Sequence, residues 1–152
     1  MFVNKNVNEN AESTTEVKPL SEIGEERAPA HLKEIISDSG EVLPIPEDNR
    51  ESIIKLVKLC KEHNIVPIIV TTSYLQEYSE VFPEDVIIVF NETIYEICDK
   101  YEVQYWDYTK DERFYNTPDF FRDTDHLNGN GSKEFTGLVM KRIQTEILNG
   151  KG

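Results

Sequence analysis

The chain has 152 residues, with 16 Lys or Arg against 29 Asp or Glu, so its formal net charge is −13. This length corresponds to one domain with a substantial core. Nucleic-acid phosphates and anionic lipid surfaces repel so negative a chain, which argues against both as partners. No apolar run approaches the roughly 20 residues that span a bilayer, and no signal-peptide pattern follows Met1. Membrane insertion is therefore not expected, and the sequence leaves the cellular compartment open.

Residues 1–28 are rich in Asn, Glu, Ser and Thr and contain few large apolar side chains. Such a segment buries too little apolar surface to offset the entropy cost of ordering. We therefore predict a flexible N-terminal arm over residues 1–28 and one folded domain over residues 29–152. The domain is expected to open with a short helix over residues 30–37, followed by a loop.

Helix and strand patterns alternate through the middle of the chain. Apolar residues at three-to-four spacing predict a helix that begins at Asp48 or Asn49 and ends near residue 63. The β-branched run 65–72 predicts a strand covered on both faces, which is typical of a parallel sheet. Residues 83–101 have the pattern of a helix, although residues 86–90 would also fit a short strand.

The rest of the chain predicts one more strand and a closing helix. Residues 103–108 alternate in the manner of a strand that is parallel to the first and reached through a helical crossover. An irregular stretch follows to residue 130, and residues 132–148 have the apolar face of an amphipathic helix. This order of elements indicates an α/β fold with a parallel sheet.

Asp123 and His126 form the candidate catalytic pair, because an Asp lies three residues before a His in the loop that precedes the last helix. A carboxylate that accepts from one ring nitrogen fixes the tautomer and leaves the other nitrogen free to act as a base. Catalytic groups of open parallel sheets gather beyond the carboxyl ends of the strands, where this loop is expected. The alternative for His126 is a structural role at the start of the helix.

The chain carries a family resemblance over roughly residues 49–147, and most of the motifs that support it lie in the segment 105–135. This segment contains the run Tyr105-Trp106-Asp107-Tyr108, the block Asp123-Thr124-Asp125-His126-Leu127-Asn128, then Gly131 and Phe135. With the strand at residues 68–72, this pattern resembles the C-terminal part of SGNH (GDSL-type) hydrolases, most of all the branch that includes DltD-like and polysaccharide O-acetylation proteins. The resemblance implies a three-layer, flavodoxin-like α/β/α fold and acyl-transfer chemistry by a Ser-His-Asp triad. Asp123 would be the orienting acid and His126 the base, whereas Asp125 would be no triad member and Asn128 would cap the last helix.

The chain departs from that family in its nucleophile. No Gly-Asp-Ser or Gly-Ser-Ser block follows a first strand, and neither Ser39 nor Ser73 has the expected context. Ser39 lacks a preceding apolar strand, and Ser73 lacks the preceding Gly that a tight elbow needs. These departures predict that the chain holds the C-terminal portion of such a fold, with a sheet that is incomplete on its N-terminal side. An unpaired sheet edge would favour self-association.

Other side chains offer weaker alternatives. Asp123, Asp125 and Glu134 match positions one, three and twelve of an EF-hand loop, but Leu127 and Asn128 break that pattern, so we predict no metal site and no cofactor. Several aromatic residues could line an acyl or sugar pocket, although packing is the commoner role: Tyr101, Tyr105, Trp106, Tyr108, Phe114, Tyr115, Phe120 and Phe121. Cys60 and Cys98 are expected as reduced core residues, and His31 and His63 as solvated side chains.

The sequence thus predicts an SGNH-like ester hydrolase or O-acyltransferase, with Asp123 and His126 at its site and a small-molecule or carbohydrate ester as substrate. Without a nucleophile block, the oxyanion stabilisation that usually dominates acyl transfer is not assured, so activity should be weak. The competing hypothesis is a truncated or degenerate SGNH-like remnant that acts as a non-catalytic interaction or scaffold module.

Overall fold

The computed structural model describes residues 20–148. The described chain is mostly helical and contains one small parallel sheet. The helices are α1 Leu20–Ile35, α2 Glu47–Glu62, α3 Gln76–Ser79, α4 Glu84–Tyr101, α5 Glu112–Tyr115 and α6 Gly129–Arg142. The strands are β1 Ile68–Thr71 and β2 Gln104–Asp107, a 3₁₀ turn covers Pro118–Phe120, and a π-helical segment covers Ile143–Leu148.

The two strands pair in parallel, with Ile68 opposite Gln104 and Thr71 opposite Asp107. The chain passes from β1 to β2 through α4, so the predicted helical crossover and the mixed α/β class are both confirmed. β1 is shorter than the predicted strand 65–72, because Ile65 and Val66 lie exposed before the sheet begins.

Residues 86–90 are helical, so the alternative reading of this run as a short strand is wrong. Glu84 and Asp85 occupy the first turn of α4, where carboxylates interact favourably with the helix dipole. Val86 is buried, whereas Ile87 and Ile88 are exposed. One face of this apolar run is therefore enough to hold the helix against the core.

Apolar clusters cover both faces of the sheet. Ile68 and Val70 pack against a core cluster of Leu75, Trp106, Tyr108, Phe114, Phe121 and Phe135. Ile69, which points the opposite way along β1, packs with Val57 of α2 and Ile94 of α4. Four of the eight residues of the aromatic run are thus buried in the core, and three more pack against it as partly buried residues, as the packing hypothesis predicted: Trp106, Tyr108, Phe114 and Phe121 in the core, and Tyr101, Tyr105 and Phe120 against it. Cys60 and Cys98 are free thiols, and burial raises the pKa of Cys98.

The start of the fold differs from the prediction. Of the arm predicted over residues 1–28, residues 1–19 lie outside the described range, but residues 20–28 belong to α1 and are helical. The reason is tertiary contact: Ala28 is fully buried, and His31 Nδ1 lies 2.8 Å from the Tyr78 hydroxyl. His31 is therefore hydrogen-bonded rather than solvated, while His63 ends α2 as an exposed residue.

The helix ends near the sheet also refine the predictions. α2 begins after Pro46, whose carbonyl accepts from the backbone of Asn49 and Arg50, so neither Asp48 nor Asn49 is its N-cap. α6 begins at Gly129, three residues before the predicted start, because Asn128 caps it as expected. Within residues 20–148, the helices are too short or too polar to cross a bilayer.

Candidate functional site

The candidate site lies on a short loop between the 3₁₀ turn and α6. A single antiparallel bridge between Phe121 and Leu127 closes this loop, and the backbone N–H of Arg122 donates to the carbonyl of His126 at 2.9 Å. The N–H of Leu75 donates to the carbonyl of Thr124, also at 2.9 Å, which fixes the loop to the segment that follows β1. The backbone around Asp123 and His126 is therefore held from both sides.

Asp123 and His126 are in hydrogen-bonding contact, as the sequence predicts for the pair. Nδ1 of His126 lies 2.8 Å from Oδ1 of Asp123. The Asp123 side chain is only 12 % exposed, whereas the imidazole is 49 % exposed. No described residue hydrogen-bonds Nε2 of His126, so this nitrogen is open to a ligand. A carboxylate on one ring nitrogen and open space at the other is the arrangement that a general base requires.

The electrostatics keep Asp123 ionised. Burial raises the pKa of Asp123, but the hydrogen bond and charge of His126, the N–H of Asp125 and the charge of Arg27 together lower it below its ordinary value. Nε of Arg122 also lies 3.5 Å from Oδ2 of Asp123. The acid can therefore accept from Nδ1 and stabilise an imidazolium formed during proton transfer.

Asp125 is the second carboxylate near the imidazole. Arg27 of α1 binds both of its oxygens, with Nε at 2.8 Å from Oδ1 and Nη2 at 2.9 Å from Oδ2. Oδ2 of Asp125 also lies 3.5 Å from Nδ1 of His126. The site thus contains an acid that is hydrogen-bonded to the histidine and a neighbouring acid that is engaged by an arginine.

Asn128 and Gly131 of the family-like block have structural roles. Oδ1 of Asn128 accepts from the backbone N–H groups of Asn130 and Gly131, which caps α6, and Nδ2 donates to the carbonyls of Asp119 and Phe121. At Gly131, an added Cβ would lie 2.1 Å from the carbonyl oxygen of Phe120. Only Gly allows α6 to approach the 3₁₀ turn this closely.

A shallow groove of about 400 Å³ adjoins His126. The site loop forms one wall with Arg122, Asp125, His126 and Leu127, while the other residues come from the end of β1 and from α6: Thr72, Ser132, Phe135 and Thr136. Thr72 follows the carboxyl end of β1, which is where ligands of parallel sheets bind. The groove can therefore admit a small polar group next to the imidazole.

The two serines considered as nucleophiles are not in this groove. Ser73 is completely buried, and its hydroxyl donates to the carbonyl of Thr109 at 3.2 Å. Ser39 lies in an exposed turn, where its hydroxyl pairs with that of Ser37 at 2.9 Å. The structure therefore brings Asp123 and His126 together but places neither Ser39 nor Ser73 in the groove beside them.

The oxygen-rich group that an EF-hand reading requires is not assembled. Ligand atoms of Asp123, Asp125 and His126 lie within 4.8 Å of one another, but Glu134 lines a different groove, with Arg113 and Lys141. Both oxygens of Asp125 are bound by Arg27, and Nδ1 of His126 is bound to Asp123. A cation here would have to displace these contacts.

Sequence reasoning missed Arg27, Thr72, Ser132 and Thr136 at this site. Arg27 falls in the segment predicted as an arm, and it lies 98 residues from Asp125, so no local pattern indicates the contact. Thr72 could have been found, because it directly follows a strand that was predicted to be parallel. The two α6 residues could have been found from the predicted helix start.

Comparison with protein-family models, with curated proteins and with solved structures finds no match to this chain. Fold and site together define a mixed α/β protein with a buried Asp, an exposed His and a groove beside them.

Proposed function

We propose that this protein is an SGNH-like ester hydrolase or O-acyltransferase in which His126 is the general base and Asp123 orients it. The observation that carries the proposal is the 2.8 Å contact between Nδ1 and Oδ1, combined with an Nε2 that no described residue engages. The groove of about 400 Å³ beside the ring gives room for an acyl group. The resemblance of the block at residues 123–131 to the D-x-D-H-L-N-x-x-G motif of SGNH hydrolases is the reason for proposing acyl transfer as the reaction class.

In the proposed reaction, Nε2 removes a proton from a water or an acceptor hydroxyl as that oxygen attacks the acyl carbonyl. Asp123 stabilises the imidazolium that results, and Nε2 then returns the proton to the departing alkoxide. The attacking oxygen comes from solvent or acceptor because no described serine or threonine hydroxyl is hydrogen-bonded to His126. A general base alone contributes about 10²- to 10⁴-fold, so the turnover should be slow.

The packing supports a three-layer, flavodoxin-like arrangement as part of this proposal. α2 and α4 contribute to the cluster on one face of the sheet, and Phe135 of α6 contributes to the cluster on the other. No described strand pairs with the outer edge of either β1 or β2. A further strand could therefore extend the sheet, and self-association through an edge remains part of the proposal.

The substrate class proposed is a small-molecule or carbohydrate ester. The groove is lined in part by Thr72, Ser132 and Thr136, whose side chains carry hydroxyl groups that can hydrogen-bond to sugar hydroxyls. The lining also includes the apolar side chains of Leu127 and Phe135, against which a short acyl chain could pack. A groove this shallow suits a single acyl group better than a long lipid chain.

A second candidate is a non-catalytic interaction module, and two observations favour it. No described hydroxyl lies in hydrogen-bonding contact with His126, so a preformed triad is not present in residues 20–148. Leu56, Leu59, Ile65 and Val66 are also exposed, at 51–69 % of their surface. Exposed apolar residues close together in sequence can form a contact surface for another protein.

The discriminating experiment measures hydrolysis of a chromogenic acetyl ester by the wild type and by matched variants. His126→Ala should abolish the rate above background, and Asp123→Asn should lower kcat roughly 10²-fold or more, because the base loses its orientation. Asp125→Asn should have a much smaller effect. His63→Ala is the control for simple imidazole catalysis, since His63 is an exposed histidine outside the groove.

If folded His126→Ala hydrolyses the ester at the same rate as the wild type, the result would support the interaction module instead. Equal losses in Asp123→Asn and Asp125→Asn would count against the assignment of Asp123 as the acid. A fluorophosphonate probe tests for a serine nucleophile. If it labels one serine in the wild type and not in His126→Ala, that serine would take the place of water as the attacking group in the proposed reaction.

A further inference from the structure

Arg27 reaches the candidate site from a distant part of the chain. It lies on α1, and its guanidinium binds Asp125 through two parallel hydrogen bonds of 2.8 and 2.9 Å. The Asp125 side chain is 9 % exposed, and that of Arg27 is 35 % exposed. A bidentate arginine contact fixes both the position and the plane of a carboxylate.

Two carboxylates lie near the one Nδ1 of His126. Oδ1 of Asp123 is at 2.8 Å, and Oδ2 of Asp125 is at 3.5 Å. The Nδ1 proton can make one strong hydrogen bond. The orientation of the ring therefore depends on whether Asp123 or Asp125 accepts that proton. The oxygen of Asp125 nearer to the ring is the one that Nη2 of Arg27 holds.

We infer that Arg27 is a positioning residue, which engages Asp125 so that Asp123 alone accepts from Nδ1 of His126. Without Arg27, the freed Asp125 carboxylate would compete for the ring and turn Nε2 away from the groove. The effect on turnover rests on the proposed function, but the effect on the ring does not. Arg27 touches no reacting atom, so its role is indirect.

The inference differs from a simple structural role of the ion pair. If Arg27–Asp125 only anchored α1, removal of either partner would have the same effect. If Arg27 restrains a competing carboxylate, Arg27→Met should disturb His126 more than Asp125→Asn does. The double variant Arg27→Met/Asp125→Asn should then restore the ring, because an amide is a weaker acceptor than a carboxylate.

The experiment records the ¹⁵N and ¹H resonances of the His126 ring at a pH where the imidazole is neutral. These resonances report which ring nitrogen carries the proton and how it is hydrogen-bonded. In the wild type, the Nδ1 proton should give one downfield signal. Arg27→Met should shift or broaden that signal, Arg27→Lys should do so less, and the double variant should return it to the wild-type position.

His31→Phe is the matched control. It removes a second polar contact between α1 and the core, the 2.8 Å hydrogen bond to Tyr78, while it leaves Arg27 and Asp125 in place. The ring signal of His126 should not change in this variant. A change as large as in Arg27→Met would show that loosening of α1 is the cause and would overturn the inference.

Ester hydrolysis by the same variants separates the inference from the proposed function. Arg27→Met should lower kcat roughly tenfold, since a displaced catalytic group loses rate steeply, and the double variant should recover most of that loss. If the expected changes in the His126 ring resonances occur but neither the wild type nor any variant hydrolyses the ester, the role of Arg27 is retained and the proposed enzymatic function is refuted. Hydrolysis that depends on His126, with a wild-type ring signal in Arg27→Met, would refute the role of Arg27 alone.

Discussion

Asn128 joins the site loop to the first turn of α6, and Asn128→Ala tests how much that connection stabilises the fold. Its Oδ1 accepts from two backbone N–H groups at 2.9 and 3.0 Å, and its Nδ2 donates to the carbonyls of Asp119 and Phe121 at 2.7 and 3.2 Å. Loss of an N-cap costs about 1 kcal/mol. Loss of each neutral hydrogen bond adds about 0.5–1.5 kcal/mol. The free energy of unfolding should therefore fall by about 2–4 kcal/mol.

Urea denaturation monitored by circular dichroism measures this change, provided that the m-value stays constant. Asn128→Asp separates the two contributions: it keeps the acceptor that caps α6 but loses both Nδ2 donations, so about half to three quarters of the loss should remain. Asn130→Ala is the control, since the Asn130 side chain is exposed and only its backbone joins the cap. A loss under about 0.5 kcal/mol in Asn128→Ala, or an equal loss in Asn130→Ala, would refute the reasoning.

Two further predictions concern the same region. Gly131→Ala should destabilise the fold by more than about 1 kcal/mol despite the helix propensity of Ala, because the new Cβ would clash with the carbonyl of Phe120. Gly137→Ala in the same helix is the control: its Cβ would lie in open space, so it should stabilise the fold by about 0.5–1 kcal/mol. Thermal denaturation measures both variants, and melting temperatures that change in the same direction would contradict this prediction. Since the pKa of Asp123 is lowered in the folded state, its ionised form contributes stability at pH values above about 4, and that contribution is lost as the pH falls through the folded pKa. The difference in free energy of unfolding between wild type and Asp123→Asn should therefore shrink on acidification. Urea denaturation at several pH values measures it, and a difference that stays constant from pH 7 to pH 3 would exclude a stabilising role of the ionised carboxylate.

Local patterns were sufficient for most of the core. The helices α2 and α4, the parallel pairing of β1 with β2 and the cap at Asn128 follow from apolar periodicity and from the side chain that satisfies a helix start. The contact between Asp123 and His126 is also local, because three residues separate them within one loop. Such features need no information from elsewhere in the chain.

The remaining features depend on contacts between distant segments. The composition of residues 20–28 predicts disorder, but burial of Ala28 and the hydrogen bond between His31 and Tyr78 stabilise α1 there. The β-branched residues Ile65 and Val66 have strand propensity, yet among residues 20–148 the pairing with β2 begins only at Ile68, opposite Gln104. The groove combines Thr72 with two residues of α6, and this combination exists only once the sheet and the last helix have packed.

The order in which the chain is synthesised bears on when the groove can work. β1 and β2 are complete once residue 107 has been made, whereas the ion pair between Arg27 and Asp125 closes a segment of 98 residues. Contacts of such long sequence separation carry a large closure entropy and form late. Because translation proceeds from the N-terminus, α1 would leave the ribosome well before the loop that it must contact. In a nascent chain, the two strands can therefore pair before Arg27 contacts Asp125, and the surroundings of His126 are complete only after the site loop and α6 have left the ribosome.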